Sequence, residues 1–205
     1  MNNINFYKDY YTIICENIFI NLNENDHILL VYYNDFNPLD KFSYLIKKKN
    51  IKLGILINDD NIFNKITENI IGEEFYSNIT MYNKLENIDI TKNNYNNILI
   101  FHLESLEYLK NVLEIFKTIN NNTRIYIYCS LSSENDKKIY YKNYMRDKIM
   151  QYSNNKMGYV IPLLNFLQII DDNNNLKIYK MSIYKKNNYF LYGDNSVYEI
   201  ILSKK

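Results

Sequence analysis

The stretch from residue 27 to residue 60 most constrains the fold, because it predicts a strand, a turn, a helix and a second strand in that order. Residues 28–33 and 53–57 are apolar runs without the alternation of a half-exposed strand, which is typical of strands covered on both faces. Asn37-Pro38 is typical of a helix start, with an N-cap followed by the first helical position. Because a parallel strand pair needs such a crossover, we expect a parallel sheet with helices on its faces.

The rest of the chain repeats this alternation. Short apolar runs predict three further strands, at residues 79–82, 97–103 and 124–131. Apolar residues spaced by three and four predict helices on either side of them. The predicted helices span about residues 5–20, 37–49, 60–70, 105–116, 133–152 and 162–170.

The end of the chain changes character. Residues 176–184 and 197–202 predict two long strands with no helical segment between them, so they must pair antiparallel. At 205 residues the chain is expected to form one domain. Its parts are an N-terminal helix and loop (1–26), alternating strands and helices (27–175) and a C-terminal hairpin (176–205).

Charge and cysteine usage exclude several classes of protein. A formal net charge of +1 gives no overall electrostatic reason to bind nucleic acid or a membrane. No apolar run approaches the roughly 20 residues that span a bilayer, and the N-terminal residues do not predict a signal peptide. Cys15 and Cys129 lack metal-site spacing and are expected to be buried, reduced thiols. We therefore expect a cytoplasmic protein without a metal site.

The composition is biased toward Asn, Ile, Tyr and Lys and contains no alanine. These residues have A/T-rich codons, which points to an A/T-rich genome such as that of a large DNA virus or some protists, and hence to a host cytoplasm or a virion. The chain has 22 tyrosines. They are either generic large apolar residues or an aromatic patch that docks a protein partner or a second copy. The clustered ones are Tyr140, Tyr141, Tyr144, Tyr179, Tyr184, Tyr189 and Tyr192.

The turn after the first strand argues against phosphate binding. In nucleotide-binding sheets this turn is rich in glycine, because a side chain would keep the backbone from the ligand. Here residues 33–38 contain no glycine, and Asp35 would place a carboxylate beside an anionic phosphate. We therefore expect no phosphate at this turn.

The order of covered strands, helices and a terminal antiparallel pair resembles the class I S-adenosylmethionine-dependent methyltransferase fold, over nearly the whole chain from Asn5. The resemblance implies a three-layer α/β/α sandwich, Rossmann-like, with a mostly parallel sheet and a C-terminal antiparallel hairpin. In that family a glycine-rich loop after the first strand holds the cofactor's methionine part. An acid after the second strand holds the ribose, and residues after the fourth strand line the adenine and the reacting group.

Carried over to this chain, the resemblance is partial. Asn34 and Asp35 stand where the family has its glycine loop, whereas Asn58 and Asp59 suit the acid position. If a cofactor is bound, the implied binding residues are Asn34, Asp35, Asn58, Asp59, His102 and Glu104. The Asp/Asn-Pro-Pro-aromatic motif of amino-group methyltransferases is absent from the sequence.

Three of these residues, and Asp60 beside them, also have a structural interpretation. Glu104 can pair with a basic neighbour. Asp59 and Asp60 suit the start of a helix, and His102 at the end of a strand can bond to nearby backbone. No constellation of catalytic residues is predicted. The leading hypothesis is a non-catalytic structural or interaction protein that binds no cofactor. The alternative is an active S-adenosylmethionine-dependent methyltransferase with a divergent loop.

A third hypothesis is a nucleic-acid accessory factor. It would use the basic residues Lys47–Lys49 and the charged residues between 137 and 148. Such binding would be strongly salt-dependent.

Overall fold

The computed structural model describes residues 22–32, 49–57, 60–70, 77–101, 106–132, 149–153, 156–184 and 196–205. The strands are β1 (His27–Tyr32), β2 (Lys52–Ile57), β3 (Ile79–Tyr82), β4 (Asn97–Phe101), β5 (Arg124–Ser132), β6 (Ile149–Ser153), β7 (Lys156–Pro162), β8 (Leu176–Tyr184) and β9 (Ser196–Lys204). The α-helices are α1 (Asp60–Ile70), α2 (Ile90–Asn93), α3 (Leu106–Ile115) and α4 (Leu163–Asp172). Leu85–Asn87 and Phe116–Thr118 form 3-10 turns.

The main run of the sheet has the strand order β3-β2-β1-β4-β5-β9-β8. Strands β1 to β5 are parallel to one another. Strand β9 is antiparallel to β5, and β8 is antiparallel to β9. The predicted α/β fold with a parallel sheet and a C-terminal antiparallel hairpin is therefore confirmed. The connections from β2 to β3 and from β4 to β5 run toward opposite edges, so right-handed crossovers place α1 and α3 on opposite faces.

Helices α3 and α4 cover one face of the sheet, called here the first face. Their buried side chains are the apolar ones at helical spacing, as the sequence predicts, and they pack on alternate residues of the strands. The helical contributors are Leu109, Val112, Leu113, Phe166, Ile169 and Ile170. The strand contributors include Leu29, Val31, Ile98, Ile100, Ile125 and Ile127.

The opposite face, called the second face, is also covered along the central strands. Residues that alternate with those of the first face, such as Ile28, Leu30 and Ile55, have no exposed surface. Burial of both faces explains why the sequence of these strands is continuously apolar rather than alternating. Each such side chain contributes about 1.5–3 kcal/mol of transfer free energy.

A buried carboxylate organises the amino-terminal edge of the sheet. Asp26 is 6% exposed and lies just before β1. Its Oδ1 accepts a hydrogen bond from Asn96 Nδ2 at 2.7 Å, and its Oδ2 accepts bonds from the Asn23 backbone N–H at 2.8 Å and from Asn97 Nδ2 at 3.3 Å. The Asn96 Oδ1 in turn accepts the His27 backbone N–H at 2.9 Å. This network joins the starts of β1 and β4.

The predicted helix over residues 133–152 is wrong at its C-terminal end. Residues 149–153 form β6, which pairs antiparallel with β7. The apolar spacing of the preceding residues favours a helix, but Asn154-Asn155 between two short apolar runs is typical of a hairpin turn. The helix predicted to begin at residue 162 begins one residue later, because Pro162 is the last residue of β7.

Several predicted elements lie outside the described residues. They are the helix over residues 5–20, nearly all of the helix over 37–49 and the segment 133–148. The strand predicted at 97–103 is described as far as Phe101. These predictions stay predictions.

Candidate functional site at the carboxyl edge of the sheet

The parallel strands end together at one edge of the sheet. Tyr32 at the end of β1 pairs with Ile57 at the end of β2, and Val31 pairs with Ile100 near the end of β4. In open α/β sheets, ligands bind outside the carboxyl ends of the strands where the strand order reverses. Here the order reverses between β1 and β4, so this edge is the candidate site.

All six residues predicted to bind a cofactor follow these three strand ends, and all six lie outside the described residues. Asn34 and Asp35 follow β1, Asn58 and Asp59 follow β2, and His102 and Glu104 follow β4. Because β1 lies between β2 and β4 in the sheet, the three segments that follow these strands begin next to one another. That these six residues line one cofactor site stays a prediction.

Of Asp59 and Asp60, which suit the start of a helix, Asp60 is the one that the structure describes. It is exposed and lies in the first turn of α1. A carboxylate there is favoured by the helix dipole. Its place supports the structural interpretation of this position.

Strand β7 occupies an unexpected place beside this edge. Ser130 and Leu131 of β5 pair with β9 and, at the same time, with β7. A strand has only two hydrogen-bonding edges, so β7 must lie on the side of β5 that also carries β4. Strand β4 ends at Phe101, opposite Tyr128. The end of β7 therefore takes the sheet position directly past the carboxyl end of β4.

Two buried polar residues near the same level were not predicted. The Tyr128 hydroxyl donates a hydrogen bond to Glu199 Oε2 at 2.8 Å, and both residues are buried. Burial, followed by the Glu199 carboxyl, raises the pKa of the neighbouring Tyr126. The sequence signal for this pair is the single acid within the apolar run of β9. Its partner is 71 residues away, so no local pattern identifies it.

Away from this edge, Tyr82 and Tyr95 form a polar contact in the first-face core, and Tyr95 packs closely against Gly54. The hydroxyls of Tyr82 and Tyr95 lie 2.8 Å apart and are hydrogen-bonded. The Tyr95 ring lies against Gly54 of β2, where a Cβ would come within 2.2 Å of the Tyr95 hydroxyl oxygen. Burial and the hydrogen bond with Tyr82 raise the pKa of Tyr95. Glycine is therefore required at this position by close packing.

Cys129 is a free, buried thiol on β5, as the sequence predicts, and Cys15 lies outside the described residues. Burial raises the pKa of the Cys129 thiol. Because the thiolate is the reactive form, we expect the native thiol to react about 100-fold more slowly with Ellman's reagent than the unfolded one. The rate is measured in a Cys15→Ser variant, with and without guanidinium. Native and unfolded rates within about threefold of each other would contradict this burial.

Within the described ranges, no group of three or more His, Cys, Asp or Glu side chains could hold a metal ion. Over the same ranges, no helix is long and apolar enough to cross a bilayer.

Comparisons with known proteins give matches in structure. No protein-family model matches the chain, and no curated protein matches it. Among solved structures, TrmK of M. capricolum in complex with S-adenosyl-homocysteine is 14% identical, with a TM-score of 0.52, over 93% of this chain and 67% of that one. The B. subtilis M1A22 tRNA methyltransferase TrmK is 10% identical, with a TM-score of 0.56, over 93% and 65%. The chain thus spans about two thirds of the length of these proteins.

Two further structures match over more of their own length. The geranyl diphosphate C-methyltransferase of Streptomyces coelicolor A3(2) has a TM-score of 0.65 at 6% identity, over 95% of this chain and 81% of that one. The glycopeptide N-methyltransferase MtfA complexed with sinefungin has a TM-score of 0.61 at 6% identity, over 95% and 86%. The chain has the fold of class I S-adenosylmethionine-dependent methyltransferases. At these identities the similarity shows the methyltransferase fold and leaves the activity open.

Proposed function

We propose that the chain is a non-catalytic protein of the methyltransferase fold that acts by binding other macromolecules. The observation that carries the proposal is the turn after β1, where residues 34–37 read Asn-Asp-Phe-Asn. Because the family has glycines at this position, we expect the side chains of residues 34–37 to keep the backbone from a cofactor.

The position of β7 supports the same proposal. It continues the sheet directly past the end of β4, beside the point where the strand order reverses. A ligand at this edge would have to share the space with a hairpin. This arrangement is what we expect of a scaffold that has lost its cofactor.

A thermal-shift experiment tests the proposal. A ligand at 100 times its Kd adds about 2.7 kcal/mol to stability, which raises the Tm of a chain of this size by roughly 5–10 °C. With S-adenosylmethionine or S-adenosyl-homocysteine at millimolar concentration, we expect a change in Tm below about 1 °C. A saturable rise of several degrees would overturn the proposal. An active methyltransferase assayed in parallel is the positive control.

The second candidate function is an active methyltransferase with a divergent loop. It is favoured by the position of Asp59, two residues past the end of β2, where the family carries its ribose-binding acid. This candidate predicts that Asp59→Ala abolishes cofactor binding without unfolding the protein. The matched control is Asp60→Ala, since Asp60 is exposed at the start of α1. Equal binding by both variants would count against this candidate.

The expected partner is a protein or a second copy of the chain. The seven clustered tyrosines motivate it. Tyr179 and Tyr184 lie on β8, whereas Tyr189, Tyr192 and the three tyrosines of the predicted 133–152 helix, Tyr140, Tyr141 and Tyr144, lie outside the described residues. Light scattering after gel filtration tests the second-copy version. For the wild type we expect a molar mass twice the 24.8 kDa of one chain. After substitution of the three tyrosines by serine, we expect the mass of a single chain. A monomeric wild-type protein would remove that version.

A further inference from the structure

We propose that the outer end of the sheet binds single-stranded nucleic acid. The surface consists of Arg124 on β5 with Lys177, Tyr179 and Lys180 on β8, and is called the β8 surface. It differs from the basic residues that the sequence singled out. It makes no use of the carboxyl edge, so it holds whether or not the chain binds a cofactor.

The strand register places the cations on one face. Lys177 pairs with Ser203 of β9, and Ser203 pairs with Arg124, so Arg124 and Lys177 share a row on the second face. Lys180 pairs with Ile201 in the next row. Adjacent strands are about 4.8 Å apart, so Arg124 and Lys177 stand roughly 10 Å apart across the surface. Three cations thus border one patch.

Tyr179 supplies an aromatic platform within this patch. The register of β8 shifts between Ile178 and Lys180, which leaves Tyr179 as the extra residue of a bulge. Tyr179 is 63% exposed, and the Arg124 guanidinium carbon lies 4.8 Å from the centre of its ring. This cation–π contact holds the ring. An exposed ring held by a cation is suited to stacking against an unpaired base.

The β8 surface has an excess of positive charge among the described residues. Among the described residues, no carboxylate forms an ion pair with Arg124, Lys177 or Lys180. The acid of the adjacent strand, Glu199, is buried and accepts a hydrogen bond from Tyr128. The patch is therefore locally cationic, although the whole chain carries only +1. A polyanion complements it, and the tyrosine selects one with accessible bases.

Strand pairing with a second copy is the competing use of this edge, and β8 is built against it. In an antiparallel pair of two β8 strands centred between Ile178 and Tyr179, Lys177 of one copy would lie opposite Lys180 of the other. The bulge at Tyr179 also interrupts the row of backbone groups. Lysines and bulges are the devices that protect edge strands from such pairing. Among the described strands β8 pairs only with β9. We take its side chains, and not its outer backbone edge, as the binding groups.

Fluorescence anisotropy with a labelled 20-nucleotide poly(U) strand and the full chain tests the proposal. We expect the affinity of the wild-type chain to fall as the salt concentration rises. In the Lys177→Gln/Lys180→Gln variant, the slope of log K against log salt should be shallower by about 1.4, near 0.7 for each lost phosphate contact. Tyr179→Ala should weaken binding about tenfold through lost stacking, whereas Tyr179→Phe should stay within about twofold.

Lys110→Gln is the matched charge control, because Lys110 is exposed on α3 and outside the β8 surface. It should leave affinity within about twofold, and circular dichroism confirms that each variant is folded. Equal effects of Lys110→Gln and the β8 variants, or no loss with Tyr179→Ala, would overturn the proposal. Absence of poly(U) binding would also overturn it. A dimer of the chain that Tyr179→Ala dissociates would do the same, because the β8 surface would then be an interface between two copies.

Discussion

Replacing Gly54 with alanine is expected to lower the free energy of unfolding by about 3 kcal/mol, a sum of overpacking and one lost buried hydrogen bond. The new Cβ would lie 2.2 Å from the Tyr95 hydroxyl oxygen and 2.7 Å from its ring carbon Cζ. Tyr95 is 4% exposed and is bonded to Tyr82, so the ring cannot move without breaking that contact. Urea denaturation followed by circular dichroism measures the loss.

Tyr95→Phe is the control for the Gly54 prediction. It removes the hydroxyl and its hydrogen bond but leaves the ring, and should cost only about 1 kcal/mol. Because it also removes the closest clash, Gly54→Ala should cost less in the Tyr95→Phe background than in the wild type. A Gly54→Ala variant as stable as the wild type would show that the close approach of Tyr95 to β2 is wrong.

Replacing Asp26 with alanine is expected to cost about 3 kcal/mol as well. The substitution leaves three hydrogen-bond donors without their charged acceptor, and bonds to charged groups carry about 1.5–3 kcal/mol in mutational series. The donors belong to Asn23, Asn96 and Asn97. Because they join the starts of β1 and β4, the loss should appear in the global unfolding transition rather than in a local one.

Asp172→Ala is the matched control, since it removes the same group from the exposed end of α4. Its effect should stay within about 0.5 kcal/mol, as for most surface substitutions. If Asp26→Ala were no more destabilising than Asp172→Ala, the network at the amino-terminal edge would have no energetic importance.

The strands of the parallel sheet could be predicted from the sequence because strands buried on both faces are continuous runs of apolar residues. Residues 28–31 and 97–100 are covered on both faces and contain almost only apolar side chains. The C-terminal pair followed from the absence of a helix between two long strands. In both cases the evidence lies in one continuous stretch of the chain.

Strands β6 and β7 could not be predicted as easily. Tyrosines and methionines at spacings of three and four favour a helix through residue 149, and short strands carry little pattern of their own. What decides their structure is pairing: β6 is held by β7, and β7 by the end of β5. The turn signal at Asn154-Asn155 was the one local indication.

The candidate site shows the same division. Its location follows from the strand order, whereas the Tyr128–Glu199 pair beside it and the contact of Gly54 with Tyr95 in the core join residues far apart in the chain. Single-sequence pattern carries no information about such pairs. The roles of Asn34, Asp35, Asn58, Asp59, His102 and Glu104 stay predictions.

Isothermal titration of S-adenosylmethionine into the full chain tests the central claim most directly, because it measures whether the carboxyl edge of this methyltransferase fold still holds a cofactor. We predict no saturable heat up to about 1 mM ligand, equivalent to a binding free energy weaker than about −4 kcal/mol. A saturable isotherm with a micromolar Kd would contradict the account and assign the chain to the active enzymes of this fold.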